Sequence, residues 1–237
     1  TLPVIQTSNL PSINRQKKAS WGASPGAAAD VSVQLASINS TPKRLSASLT
    51  VSSQLLKQSP ILGSAFVEAQ ILSAVGSALD DSGINGDGTG GSPIGLLNDA
   101  DIAEQSFTTD IEATDVLDME QAIADAHGEH DPAELGWLSG TATRRRLRTL
   151  PISASVTKPI WEGAFALGYR GVASPFAPAK TLVFGNMSEL LVIQSGQLEV
   201  MANPYSRDVE GHVRFTINSF FDLLVLNPDH FIRAVAA

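Results

Sequence analysis

The chain contains no cysteine, so it can form neither a disulfide nor a metal site built on thiolates. No apolar stretch reaches the roughly 18–20 residues that a membrane-spanning helix needs. The start of the chain lacks the positively charged segment and apolar core of a secretory signal peptide. Hydrophobic residues make up 43% and charged residues 17% of the 237 residues, which predicts a folded chain rather than a disordered one.

Basic residues are absent from one segment of the chain. Residues 101–135 carry eleven acidic side chains and no lysine or arginine, whereas residues 136–237 carry seven acidic and ten basic ones. The formal net charge of -8 therefore comes from this acidic segment, since residues 1–100 are balanced at six of each sign. A negatively charged protein is a poor general binder of nucleic acid, because phosphate contacts require a cationic surface.

The first 45 residues predict two projecting segments. Residues 1–13 contain two prolines and scattered apolar side chains, among them Leu2, Val4 and Ile5, which is typical of an extended arm. This arm packs either on its own domain or on a neighbouring molecule. Residues 14–45 place two strand-like halves around a middle rich in glycine, alanine and proline, which predicts a long hairpin. Because isolated two-stranded ribbons are marginally stable in water, we expect this hairpin to have a partner surface.

The remainder of the chain predicts an α+β fold. Helices are predicted at about 52–58 and 61–82, separated by Pro60, and at about 108–128, where apolar residues recur at helical spacing. Another helix is predicted over Ser139–Leu150, with Ser139 or Thr141 as its cap and Pro151 as its end. The last third predicts six short strands. Their sequences are TLVFG, ELLVIQSG, QLEVMA, HVRFTI, FDLLVLN and FIRAVA.

Three patterns resemble catalytic or ligand sites without meeting their requirements. His127 and His130 are spaced i, i+3 across a glycine that stops a helix, whereas a helical zinc pair is spaced i, i+4, so we interpret them as part of an acidic turn. Gly86–Gly91 follows a helix and has no Lys-Ser/Thr, which favours a structural turn over a phosphate loop. Ser139 stands one place from the serine of a Gly-x-Ser-x-Gly elbow, so we interpret it as a helix cap.

Several segments, taken in chain order, resemble a known family of structural proteins. They read TPKRLSASLTVSSQLLKQS, INGDGTGGSPIGLLN, ELGWLSGTATRRRLRTL, GYRGVASPFAPAKTLVFGNMSE and VRFTINSFFDLLVLNPDHFIRA. Their order and spacing over roughly residues 30–237, together with the hairpin before them, resemble the major capsid proteins of tailed bacteriophages of the Hong Kong 97 type.

The resemblance implies a Hong Kong 97-like capsid fold of the α+β class with four parts. These are an N-terminal arm (1–13), an extended loop (14–45), a peripheral domain (46–107 and 197–237, with a spine helix at about 61–82) and an axial domain (108–196). It further implies a structural protein that is not an enzyme and uses no cofactor or metal. Pentamers and hexamers of the chain would assemble in the bacterial host cytoplasm into an icosahedral virion shell around DNA.

The resemblance also implies partners and processing. A portal protein and decoration or scaffolding proteins are the expected partners, with no membrane and no sequence-specific binding of DNA. Many family members lose an N-terminal segment to a phage protease, and we expect the same here because the first residue is Thr1 rather than Met. An encapsulin-type nanocompartment shell shares the fold and is the alternative function. A small hydrolase that uses Ser139, or a metal site at His127 and His130, is a distant alternative.

Ten residues are candidates for contacts between subunits. They are Leu2, Val4, Ile5, Lys17, Lys18, Trp21, Arg144, Arg145, Arg146 and Arg148. Trp21 is predicted to be a contact anchor, because a large aromatic side chain buries much area. For the arginines three interpretations stay open: they face the acidic segment of a neighbouring subunit, touch the phosphates of packaged DNA, or form a solvated helix face.

One family feature is not expected in this chain. Some family members join a loop lysine to an asparagine of a neighbouring subunit through an isopeptide bond, with help from a buried glutamate. The corresponding late strand reads HVRFTINSFFDLL and has no glutamate beyond Glu210 at its start. We therefore predict that Lys17 and Lys18 form no such cross-link and that the shell is held together without covalent bonds.

Overall fold

The computed structural model describes residues 4–5, 9–13, 35–58, 64–107, 110–126, 132–153 and 155–236. Its helices are α1 (Ser53–Gln58), α2 (Ser64–Asn85), α3 (Ala113–Asp125) and α4 (Thr141–Leu147). The strands of the first half are β1 (Val4–Ile5), β2 (Asn9–Ile13), β3 (Leu35–Asn39), β4 (Lys43–Ser52), β5 (Ala103–Phe107) and β6 (Leu135–Gly140). Those of the second half are β7 (Pro151–Ser153), β8 (Val156–Pro159), β9 (Trp161–Glu162), β10 (Phe165–Ala166), β11 (Tyr169–Ser174), β12 (Thr181–Asn186), β13 (Leu190–Asn203), β14 (His212–Val225) and β15 (Phe231–Ala236).

These strands form two main sheets and two ribbons. The four-stranded sheet has the order β1-β13-β14-β4, and the seven-stranded sheet has the order β5-β15-β12-β6-β11-β10-β9. The first is antiparallel apart from the β1–β13 pair, and the second has parallel pairs at β5–β15 and β6–β11. The ribbons pair β2 with β3 and β7 with β8. The predicted α+β class is therefore confirmed.

Helix α2 packs on one face of the four-stranded sheet. Its residues Val67, Ile71 and Val75 recur every four positions and are buried against Phe215 and Ile217 of β14. This periodicity is the pattern that predicts the helix. Burial of these side chains is what fixes the helix on the sheet, since each buried aliphatic side chain contributes about 1.5–3 kcal/mol.

The C-terminal end of α2 lies at Asn85 rather than at the predicted position near 82. The last four carbonyl groups of a helix have no partner within the helix. Here the carbonyls of residues 82–85 accept hydrogen bonds from the loop 86–98, for example Leu96 N to Gly83 O at 2.9 Å and Leu97 N to Ile84 O at 3.1 Å. The loop approaches so closely that a Cβ atom on Gly95 would lie 2.6 Å from Gly86 N and 2.7 Å from Ser82 O. The glycine-rich turn is thus the cap of the long helix.

The six strands predicted in the last third of the chain correspond to four strands in the structure, and two of these are long. The segments ELLVIQSG and QLEVMA form the single strand β13, and HVRFTI and most of FDLLVLN form β14. Gly196 has a positive φ of 85°, but it marks a bulge in the β13–β14 ladder rather than a turn. Asn218 and Ser219 read as turn residues, yet both stay in register with β4.

Helices α3 and α4 cover the same face of the seven-stranded sheet. The shared core contains Val116, Met119 and Ile123 of α3 and Leu147 of α4, together with aromatic residues of β6 and β12. Among these, Trp137 stacks on Phe184 with ring centroids 4.2 Å apart. The stripe that predicts α3 is confirmed.

The predicted helix over Ser139–Leu150 is partly wrong. Ser139 and Gly140 belong to β6, a central strand between β12 and β11, and the helix begins at Thr141. Gly140 is the capping residue and makes no side-chain cap, so neither Ser139 nor Thr141 has the predicted role. Central strands covered on both faces are nearly continuously buried, and Leu135–Gly140 follows that rule.

The N-terminal segments are arranged differently from the predicted arm and loop. Val4 and Ile5 pair in parallel with Val192 and Ile193 of β13, so this part of the arm lies on its own domain. Strand β2, which falls within the predicted arm, pairs antiparallel with β3. The hairpin thus includes the end of the arm, and its two described strands are farther apart in sequence than the predicted halves.

The two sheets do not divide at the predicted domain boundary. Strand β13 crosses residue 197, and β15 belongs to the seven-stranded sheet although residues 197–237 were assigned to the peripheral domain. A third core cluster joins the sheets, with Leu190 and Leu223 from the four-stranded sheet and Val183 and Phe231 from the seven-stranded sheet. The chain crosses between the sheets at the loop 86–102, at 187–189 and at 226–230.

Candidate functional site

Four exposed arginines form a basic surface on and just after α4. Arg144, Arg145, Arg146 and Arg148 are all exposed, while Thr143 and Leu147 fix the helix to the sheet by burial. Within the described residues, none of the four forms an ion pair. The structure thus brings these sequence-predicted residues together on one surface, which we call the basic surface.

An acidic surface lies at α3. Asp110, Glu112, Asp118 and Asp125 are exposed. In the part of the chain that the structure describes, these four carboxylates have no cationic partner either. Asp115 is instead used locally, because its carboxylate accepts a hydrogen bond of 2.8 Å from Glu112 N in the capping box of α3.

The two charged surfaces lie in one layer but over different halves of the sheet. Helix α3 packs against β15 and β12, towards the β5 edge, and α4 packs against β6 and β11, towards the β9 edge. Both helices share a core on the same face, so the negative charge lies at α3 over one half of this face and the positive charge lies at α4 over the other half. This arrangement can attract an oppositely charged surface at either side.

A buried carboxylate fastens the root of the β2–β3 ribbon. Asp222 of β14 is 5% exposed, and its Oδ2 atom accepts hydrogen bonds from Ser40 Oγ at 2.8 Å and Thr41 N at 2.7 Å. Its Oδ1 atom accepts from Leu223 N at 3.0 Å. Hydrogen bonds to a charged acceptor are among the stronger ones in proteins. The short connection between β3 and β4 is therefore held on the four-stranded sheet by a single side chain.

Another buried pair joins the connections that run between the two sheets. Glu189 precedes β13 and His230 precedes β15, and His230 Nδ1 lies 2.9 Å from Glu189 Oε2, with both side chains less than 10% exposed. Leu226 N also donates to Glu189 O at 3.0 Å. Sequence reasoning missed this pair, because the two residues are 41 positions apart and no local pattern links them.

The hydrogen-bond donors of the glycine-rich turn bind a carboxylate of the same turn. Asp87 accepts hydrogen bonds from Thr89 Oγ1 at 2.6 Å, Thr89 N at 2.9 Å and Ser92 Oγ at 3.0 Å. The Thr89 side-chain hydrogen bond is the main cause that lowers the pKa of Asp87 below its ordinary value. These donors are therefore occupied by an internal anion, which agrees with a structural turn rather than a phosphate loop.

The patterns considered for catalysis and metal binding find no support in the described residues. Ser139 is fully buried in β6 and so is not accessible as a nucleophile. Within the described residues, no cluster of His, Asp or Glu side chains is arranged to hold a metal ion. His127 and His130 lie outside the described residues. None of the described helices is both long and apolar enough to cross a membrane.

Several predicted contact residues lie beyond what the structure describes. Leu2, Lys17, Lys18 and Trp21 are outside the described residues, and for Val4 and Ile5 only the strand pairing is described. Their roles as subunit contacts stay predictions.

Comparison with known structures identifies the fold of the chain. The chain aligns over its full length with the capsid of an empty GTA particle computed with C5 symmetry, at a TM-score of 0.76, 18% identity and 88% coverage of that chain. A chain from Mycobacterium phage Cain aligns with a TM-score of 0.71 and 14% identity, again over 100% of this chain and 88% of that one. The predicted Hong Kong 97-like capsid fold is confirmed by this likeness.

Comparison of sequences gives the family. The chain is 23% identical over 180 residues to the major capsid protein of Halomonas phage phiHAP-1, covering 76% of this chain. It spans about 30% of the length of that curated relative. The model of the phage capsid family matches residues 2–235, which is nearly the whole chain. The chain therefore belongs to the phage capsid family.

Proposed function

We propose that the chain is the structural subunit of an icosahedral phage capsid, which assembles as pentamers and hexamers and encloses DNA. The observation that carries this proposal is the family match over residues 2–235, which covers nearly all of the 237 residues. The mechanism is geometric: copies of one rigid body tile a closed surface, and no bond is made or broken in a substrate. Stable contacts between copies need area, on the order of 1,200–2,000 Å² for each interface.

Two features of the described residues suit such a subunit. The four-stranded and seven-stranded sheets share a buried core at their junction, which joins them into one rigid unit. The β2–β3 ribbon leaves this body at the Asp222 anchor. We propose that the ribbon and the segment between its strands reach a neighbouring copy, with Leu2, Lys17, Lys18 and Trp21 among the contacts. A two-stranded ribbon gains stability from such a partner surface.

The two sheets support a proposed division into domains. We propose that the four-stranded sheet with α1 and α2 is the peripheral domain and that the seven-stranded sheet with α3 and α4 is the axial domain. On this assignment β15 belongs to the axial domain, because it is hydrogen-bonded between β12 and β5.

The partners of the assembled shell are part of the proposal. We propose that the shell binds a portal protein and decoration or scaffolding proteins, that it assembles in the host cytoplasm, and that it holds DNA without reading its sequence. The net charge of -8 agrees with weak binding of DNA by the subunit itself.

Shells of this protein are expected to contain no covalent links between subunits. Glu210, the glutamate nearest in sequence to the predicted strand, is exposed at a hairpin end and pairs with Arg207 at 3.1 Å instead of lying in a buried site. Glu199, which lies opposite Asn218 of this strand, is exposed as well. Boiling purified particles in detergent and running them on a denaturing gel should give a single band at the mass of one subunit. A ladder of higher bands would contradict the prediction.

The experiment that tests the proposed function is electron microscopy of the purified full-length chain, followed by nuclease treatment and analysis of particle contents. We expect closed shells, and nuclease-protected DNA in particles from infected cells. Closed shells that hold an enzyme cargo and no DNA would favour the encapsulin-type alternative. A protein that forms no shell under any assembly condition would contradict both.

A further inference from the structure

We propose that the basic surface of α4 binds the acidic surface of α3 on the next copy of the chain, so that copies join head to tail around a ring. This inference rests on the proposed shell function and names the surfaces through which neighbouring copies meet. The partner is a second copy of this chain, identified by charge complementarity between two surfaces of opposite sign.

Both surfaces carry charge that no other described residue pairs with. Within the described residues, the ion pairs are Lys158–Glu162, Arg207–Glu210 and Arg233–Glu104, and neither these nor the His230–Glu189 contact involves α3 or α4. Residues spaced i, i+4 on a helix face each other, and like charges there are destabilising. Arg144 and Arg148 have this spacing, so they repel each other, although the dipole of α4 favours cations in its last turn. A partner of opposite charge would relieve this repulsion.

Local helix electrostatics explain only part of the acidic surface. A carboxylate near a helix N-terminus is stabilised by the helix dipole, which accounts for Glu112 at the start of α3. Asp125 is the last residue of the same helix, where the dipole disfavours negative charge. Asp118 lies in the middle, where the dipole has little effect. Among the described residues neither carboxylate has a cationic partner, so both are available to a second copy of the chain.

The positions of the two surfaces favour a head-to-tail contact. A two-fold contact uses the same surface on both copies, whereas a ring requires two different and complementary surfaces. Helix α3 lies over β15 and β12 and α4 lies over β6 and β11, so the two surfaces lie over different halves of the same sheet face. The basic side of one copy can then meet the acidic side of the next, and the same contact can repeat around an axis.

The same layout argues against packaged DNA as the partner of the arginines. A phosphate backbone that lies along this layer would meet the exposed carboxylates of α3 as well as the arginines of α4. Repulsion from the acidic surface weakens such binding, since nucleic acid is attracted by continuous cationic surfaces.

Charge reversal on each surface, separately and together, tests the proposal. The variants of the full chain are Arg145→Glu/Arg146→Glu, Asp118→Arg/Asp125→Arg, and the combination of all four. The measurement is the fraction of protein in rings or closed shells, by sedimentation and electron microscopy. We expect each pair alone to reduce this fraction about tenfold or more, and the combination to restore it to within about twofold of the wild type, because the contact is rebuilt with its signs exchanged.

The controls separate this inference from folding, net charge and the proposed function. Circular dichroism and thermal unfolding should match the wild type for every variant, because all four residues are exposed. Lys57→Glu/Lys158→Glu changes the net charge as much as the arginine variant at two exposed sites outside α4, and we expect near-normal assembly.

Provided that the wild type forms shells, four outcomes would overturn the inference. They are normal shells from both reversed pairs, a loss that the combined variant does not rescue, an equal loss in the lysine control, and variants that no longer fold. If the wild type itself forms neither rings nor shells, the proposed function fails first.

Discussion

Replacing His230 by alanine is expected to lower the free energy of unfolding by about 3–5 kcal/mol, because it leaves the buried carboxylate of Glu189 without its partner. The two groups are 2.9 Å apart, and the side chains are 7% and 9% exposed, so water cannot replace the lost imidazole well. Urea unfolding of the purified chain, at one protein concentration for all variants, measures the effect.

An exposed ion pair provides the matched control for this prediction. Lys158 and Glu162 are 3.2 Å apart but 63% and 66% exposed, so Lys158→Ala should cost less than about 1 kcal/mol. The double variant Glu189→Gln/His230→Ala should be more stable than His230→Ala alone, because it removes the uncompensated charge. If His230→Ala stays within about 1 kcal/mol of the wild type, the pair does not join the two sheets as described.

Replacing Asp222 by alanine is expected to lower the free energy of unfolding by about 3 kcal/mol and to detach the root of the ribbon. Ser40 Oγ and Thr41 N then lose their common acceptor at 2.8 and 2.7 Å, a carboxylate whose residue is itself only 5% exposed. We therefore expect faster amide hydrogen exchange at Thr41 and the adjoining residues of β4, measured by mass spectrometry. The yield of assembled shells should fall more strongly than the free energy of unfolding, because the ribbon would no longer be held at a fixed position on the four-stranded sheet.

The exposed hairpin end supplies the control for Asp222. Asp208 makes a similar short-range contact, with Val209 N donating to Asp208 Oδ1 at 2.8 Å, but it is exposed and holds no distant segment. Asp208→Ala should leave exchange in β4 unchanged. The conservative change Asp222→Asn keeps one carbonyl acceptor and should restore part of the protection at Thr41. If the amide of Thr41 exchanges at the same rate in Asp222→Ala and in the wild type, Asp222 does not anchor the ribbon.

Local periodicity predicted those elements whose structure depends on short-range burial. The stripe in 108–128 predicted α3, and its residues Val116, Met119 and Ile123 are indeed the buried ones. The strands β12 and β15 were predicted from short β-rich runs between turn residues. In these cases the sequence pattern and the burial coincide, because one element packs on one surface.

Errors arose where a distant segment decides the structure. The end of α2 depends on the loop 86–98, which returns to cap it, and no pattern within the helix reveals this. Serine favours helix starts, and on that ground the sequence predicts Ser139 as a cap, yet β12 and β11 on either side of β6 hold it in a strand. The pairing of β2 with β3 crosses the predicted boundary between arm and loop, since strand partners are fixed by register rather than by composition.

The sequence alone predicts only part of the candidate contact surface. The arginine run and the acidic segment 101–135 stand out as charge patterns. Their placement on one layer, over opposite halves of the seven-stranded sheet, required the fold. The anchor at Asp222 and the pair of Glu189 and His230 left no local pattern at all, because each joins segments far apart in the chain.

A cryo-electron microscopy reconstruction of particles formed by the full chain tests the central claim most directly. The account predicts a closed icosahedral lattice of pentamers and hexamers, with the two sheets of each subunit joined as described and α4 of one copy beside α3 of the next around each ring. Discrete oligomers of fixed size that never close into a shell, or a lattice in which the ribbon and these helices contact no neighbouring copy, would contradict it.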